Sequence, residues 1–160
     1  MSENDGPRLP PVAGRYQFLD VISDGDTGVV YRAMDTILGW AVAVKALHEC
    51  LALDSTAARR FTTAARILGQ LPHPAIPAVH NIGALSDGRP FFVMRLIRGR
   101  TVQDVLDDQP ETAADRGPLL TVFERVCEAV AYAHAKGVAH RNLKSAHVMI
   151  GAFGEVQLLG

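Results

Sequence analysis

Five consecutive residues, His140-Arg141-Asn142-Leu143-Lys144, place an imidazole, a guanidinium, a carboxamide and an amine together, just after an amphipathic run that stops at Gly137. A carboxamide near neutral pH cannot take a proton as a carboxylate does, so general-base chemistry here lacks its usual agent. Lys45 is the single charge in the apolar run Trp40-Ala41-Val42-Ala43-Val44-Lys45-Ala46-Leu47, where a strand-borne lysine needs a reason. Gly25 and Gly28 flank an Asp/Thr turn. Without side chains they would let backbone N–H groups approach an anion, and they equally suit an ordinary hairpin turn. His48, His73, His80 and His134 show no ligand spacing, so no metal site is expected. Cys50 and Cys127 lie far apart without zinc spacing and are expected to be reduced thiols in the core.

The elements that must carry these residues change character along the chain. Arg15 to Ile22 and Gly28 to Ala33 read as strands joined by Ser23-Asp24-Gly25-Asp26-Thr27, and Trp40 to Leu47 as a third strand. A helix is predicted from about Ser55 to Gln70, with Phe61, Ala65 and Leu68 on one face, Asp54 or Ser55 as cap, and Gly69, Pro72 and Pro74 as its end. Two more strands, Ala78 to Ala84 and Phe91 to Ile97, flank the tight turn Ser86-Asp87-Gly88-Arg89. Thr101 to Asp107 then reads as a short helix, Gln109 to Gly117 as a loop, and Pro118 to Lys136 as a long helix with Leu119, Phe123, Val126 and Val130 at helical spacing. His134 on that helix is expected to be a packing residue. A hairpin of Val148 to Ile150 and Glu155 to Leu159 closes the chain.

With 160 residues, 48% of them hydrophobic, the chain can bury a core. Sixteen Lys and Arg against 17 Asp and Glu leave no basic footprint, so neither nucleic acid nor an anionic membrane is expected as a partner. Residues 1–13 are polar and proline-rich and read as a disordered tail without signal-peptide character. No apolar run is long enough to span a bilayer, so the expected location is the cytoplasm.

The ordered set Gly25-x-x-Gly28-Val29-Val30-Tyr31-Arg32-Ala33, Ala43-Val44-Lys45 and His140-Arg141-x-Leu143-Lys144 resembles bacterial serine/threonine protein kinases. The resemblance implies an α+β, protein-kinase-like fold: an antiparallel five-stranded small lobe with one helix over 14–97, then a hinge and the start of a helical large lobe over 98–160. It covers only about the first half of a kinase domain, so the chain reads as truncated. It further implies an ATP site. Ser23, Gly25, Gly28 and Val30 would match the glycine-rich loop, and Lys45 the lysine that contacts the α- and β-phosphates. Val30 and Ala43 would roof the adenine, Met149 would be its floor, and Met94, Arg95 and Ile97 would belong to the hinge. Each of these apolar residues would also serve plain core packing.

The departures fall on the positions that do chemistry. Ser23 replaces the first glycine of the loop. Ala64 stands where the family's helix glutamate pairs the lysine, and no Asp or Glu occurs between Asp54 and Asp87 to replace it. Asn142 takes the place of the catalytic aspartate and His147 that of the magnesium-binding asparagine. Gly160 falls where the metal-holding aspartate of the D-F-G motif belongs. His140, Arg141 and Lys144 are retained, His140 as a packing residue of the loop and Lys144 as a structural or solvated charge. Magnesium is therefore not expected, and ATP binding, where it occurs, is expected to be weak.

Three readings follow: an inactive pseudokinase-like domain that binds a partner or a nucleotide, an active ATP-dependent serine/threonine kinase, and a decayed gene fragment without selected function. For the first, the expected contact is a protein partner or a second copy, docked where the long helix and last hairpin lack the rest of the large lobe.

Overall fold

The computed structural model describes Pro10, 14–108 and 117–160. The expected tail, Pro10 apart, and the expected loop at 109–116 lie outside the described residues. Strands β1 (Tyr16–Asp24), β2 (Gly28–Asp35) and β3 (Trp40–Leu47) are followed by helix α1 (Ser55–Gly69) and strands β4 (Val79–Ala84) and β5 (Pro90–Arg95). The five strands form one antiparallel sheet in the order β1-β2-β3-β5-β4.

Period-two alternation divides β3 between two apolar clusters. Val42, Val44 and Ala46 pack with Tyr16, Phe18, Tyr31, Phe91 and Val93, where Tyr16–Phe91 and Phe18–Tyr31 meet edge to face at 5.9 and 5.2 Å. Ala43 and Leu47 face the other way, with Phe92 and Met94, against Phe61 and Ala65 of α1. Asp54 caps α1, its Oδ1 accepting the N–H groups of Thr56 and Ala57 at 2.8 and 3.1 Å.

The second part holds β6 (Gly99–Thr101), α2 (Val102–Asp108), α3 (Gly117–Ala135), β7 (Val148–Gly151) and β8 (Val156–Leu158), with a small sheet in the order β6-β7-β8. Thr101 and Asp104 cap α2 reciprocally. The Thr101 hydroxyl accepts the Asp104 N–H at 3.0 Å, and the Asp104 carboxylate accepts the Thr101 N–H at 2.9 Å. The end of α3 is a glycine stop, with Gly137 at φ +76° and the Val138 N–H bonded to the Ala133 carbonyl at 2.9 Å.

Three sequence expectations are corrected here. Burial on α3 follows Val126, Ala129 and Ala133, while Phe123 is 65% exposed. Alanines at 129 and 133 allow the closer approach that larger residues would block. Leu158 of β8 is buried as well. His134 is exposed, and so are both cysteines, which are free thiols outside the core.

Of the described residues, those up to Gly69 together with Val79–Leu96 make one compact unit, and Gln70–Ala78 with Ile97–Gly160 make another. The connection between α1 and β4 is bound within the second unit. Gln157 Nε2 donates to the Pro74 carbonyl at 2.6 Å, the Leu158 N–H donates to the Ala75 carbonyl at 2.7 Å, and His73 lies 5.3 Å from the Tyr132 ring.

Candidate functional site

In the first unit, Lys45 sits between Val30 of β2 and Phe92 of β5 in the strand register, on the face that α1 covers. It is half-buried and forms no ion pair with any described residue. Burial pushes its ammonium below the ordinary lysine range, because the charged form loses water without gaining an anion. Ala64 is exposed on α1 beside the inward residues Phe61 and Ala65, and its methyl group supplies no counter-charge.

The turn expected to cradle an anion is narrower than its motif. Ser23 lies in β1 opposite Val30 and Gly28 opens β2, so only Gly25-Asp26-Thr27 joins the strands, closed by the Gly25 N–H on the Gly28 carbonyl at 3.1 Å. A Cβ at Gly28 would lie 2.3 Å from the Ala46 carbonyl oxygen, whereas one at Gly25 would meet only the Gly28 oxygen at 3.6 Å. Glycine at 28 is thus required by the close approach of two strands. Sequence spacing gave no sign of His48, whose ring Nε2 pairs with Asp24 Oδ1 at 2.8 Å and whose N–H donates to the Thr27 carbonyl at 3.1 Å. Twenty-four residues separate that pair, and only strand pairing brings it together.

Ala43 and Met94 are buried, and Val30 packs against the same cluster. Arg95 is exposed at the end of β5. In the second unit, Ile97 and Met149 are half-buried, and Met149 lies opposite Thr101 and Gln157 in the small sheet.

The second unit brings Asn142, His147 and Gly160 together. Arg141 holds φ at +65°, a left-handed conformation that costs a non-glycine residue roughly 1 kcal/mol or more. The Asn142 N–H donates to His140 Nδ1 at 3.2 Å, so His140 carries its proton on Nε2 and donates it to the Leu159 carbonyl at 2.9 Å. His147 donates from Nδ1 to the Asn142 carbonyl at 2.8 Å, and its own backbone is held by the Lys144 carbonyl at 2.9 Å and the Leu159 N–H at 2.6 Å. Gly160 lies against both imidazoles. A Cβ there would come within 2.7 Å of His140 Cε1 and 3.0 Å of His147 Nδ1. Lys144 is exposed. These positions offer one imidazole, one exposed carboxamide and one glycine, where a hard divalent cation takes several oxygen ligands.

A family model described as the protein kinase domain matches residues 16–159. The chain is 33% identical over 155 residues to the serine/threonine-protein kinase PknD of Chlamydia felis, covering 91% of this chain and 16% of that protein. It is 32% identical over 167 residues to PknD of Protochlamydia amoebophila, covering 98% and 17%. It therefore spans about a sixth of the curated relatives it matches. Among solved structures, the kinase domain of Mycobacterium tuberculosis PknI superposes with a TM-score of 0.76 at 24% identity, covering 91% of this chain and 58% of that one. The apo form of PpkA-294 gives 0.79 at 21% identity, covering 99% and 61%. With a glycine-containing β1–β2 turn, a β3 lysine and the His-Arg-x-Leu-Lys loop on a chain that the kinase-domain model matches over 16–159, the chain belongs to the protein kinase domain family.

Proposed function

We propose that this chain is a pseudokinase-like kinase domain: it does not transfer phosphate by the family's route and acts by binding. The observation that carries the reading is the joint replacement at Asn142, His147 and Gly160, which sit within one hydrogen-bonded cluster. Phosphoryl transfer is largely positioning plus electrostatic stabilisation of phosphate charge, and these residues supply no carboxylate base and, for magnesium, a single side-chain oxygen on the Asn142 carboxamide in place of the several it takes. Nucleotide binding on this reading is weak, uses Lys45 and depends little on magnesium. The two free thiols suit a reducing compartment, the cytoplasm. The partner is a protein or a second copy that covers the outer face of α3, where Leu120 and Phe123 are exposed.

Radiolabelled ATP supplied with magnesium or manganese tests the catalytic half of the proposal. Label incorporation no greater than in Lys45→Ala is expected, and Asn142→Asp alone is expected to remain silent. Incorporation above that control overturns the reading in favour of an active serine/threonine kinase. A thermal-shift titration with ATP tests the binding half. A small, Lys45-dependent rise that magnesium does not enlarge is expected, and a large magnesium-dependent rise contradicts it.

A further inference from the structure

The second unit contains a concave space of about 320 Å³ that the kinase chemistry does not use. Its walls come from α2, the first turns of α3 and the β7–β8 hairpin, with Val105, Leu119, Val122, Ile150 and Val156 giving an apolar interior. Arg125 of α3 lines it as well. The guanidinium makes one long contact, from Nη1 to the Gly154 carbonyl at 3.4 Å, and no ion pair with any described residue. Most of its five N–H donors therefore have no partner among the described residues, and a contact of that length is weaker than an ordinary hydrogen bond. A cation set at an apolar cavity of small-molecule size calls for a ligand with one charged end and a hydrocarbon body. The planar fork of arginine matches the two oxygens of a carboxylate.

We propose that this cavity binds a small amphipathic carboxylate, with the aliphatic chain between α2, α3 and the hairpin and the carboxylate on Arg125. The contribution of each part can be separated. Apolar burial rewards chain length whatever the head group, whereas the fork rewards only an anion.

Titration of the full chain with octanoate, followed by methyl NMR of Val105, Val122, Ile150 and Val156, tests the site. Saturable shifts at these methyls are expected, with Kd on the order of 0.1–1 mM. The exposed position of Arg125 makes Arg125→Gln a safe variant for folding. It is expected to weaken octanoate about tenfold, a loss of about 1.4 kcal/mol, and to leave octan-1-ol unchanged. Absence of saturation up to about 10 mM octanoate overturns the proposal. So does binding of octan-1-ol as tight as that of octanoate, or an Arg125→Gln effect smaller than about twofold. The outcome is independent of whether the chain binds ATP or transfers phosphate.

Discussion

Replacing Lys45 by methionine should stabilise the protein. The lysine is half-buried between Val30 and Phe92, faces the cluster of Ala43, Leu47 and Phe61, and has no anion beside it. Methionine keeps the length and the apolar contacts of the stem while removing the charge. A polar group buried without compensation costs about 1–3 kcal/mol in proteins, and partial exposure of Lys45 puts the gain near the lower end, about 1 kcal/mol. For a chain of this size that is a rise of about 2–4 °C in Tm. The pH dependence carries the sign. Because burial lowers the folded-state pKa, the folded protein binds this proton less tightly than the unfolded chain. The penalty is then complete below the lowered pKa and fades as pH rises toward the ordinary lysine value of about 10.4. Urea melts of wild type and Lys45→Met at neutral pH and near pH 10 should show the variant ahead, with a gap that narrows at the higher pH. A variant less stable than wild type, or a gap indifferent to pH, would falsify the claim that Lys45 is an uncompensated charge.

Other expectations follow from the geometry. Gly28→Ala should destabilise by about 2 kcal/mol or more in urea melts, since its Cβ meets a backbone oxygen at 2.3 Å, while Gly25→Ala should stay within about 0.5 kcal/mol; similar losses at both refute the close-approach argument. Asp35 is held at a pKa of about 2, first by the Arg15 guanidinium and then by the N–H groups of Leu38 and Ile37, against the opposing effect of desolvation. Its depressed folded pKa means that the stabilisation is present above the unfolded value, about 3.9, and is lost as pH falls through 2. The advantage of wild type over Asp35→Asn should shrink across that window, and a constant difference counts against it. Phe123→Asp should lower self-association in sedimentation velocity at tens of micromolar protein without lowering stability; an unchanged distribution removes α3 as the contact face.

The strands and the helix that frame Lys45 were legible because their patterns are strong, alternation across β3 and the Phe61–Ala65–Leu68 stripe of α1, and in the second unit the end of α3 was legible from its glycine. Strand β6 was not, because three residues of Gly-Arg-Thr carry no periodicity and become a strand only by pairing with β7. The glycine at 28 was visible as a residue, but its reason, the Ala46 carbonyl, lies on another strand. On α3 the spacing of large apolar residues pointed to Phe123, whereas burial follows the small Ala129 and Ala133, whose value depends on what approaches them. At the degenerate loop the residue types were legible. The tautomers of His140 and His147 needed the positions of Asn142 and Leu159.

The stretch Gln70–Ala78 leaves neither unit as an uninterrupted length of sequence. A gene fragment starting at Ile97 would carry Gln157 and Leu158 without the Pro74 and Ala75 carbonyls that accept their N–H groups, and Tyr132 without the His73 ring beside it. Gln157 is 95% buried and its Oε1 has no partner among the described residues, so such a fragment would also take from its Nε2 the one acceptor it has. Dissecting this protein into halves for expression therefore demands a permuted gene, in which 70–78 travels with the second piece.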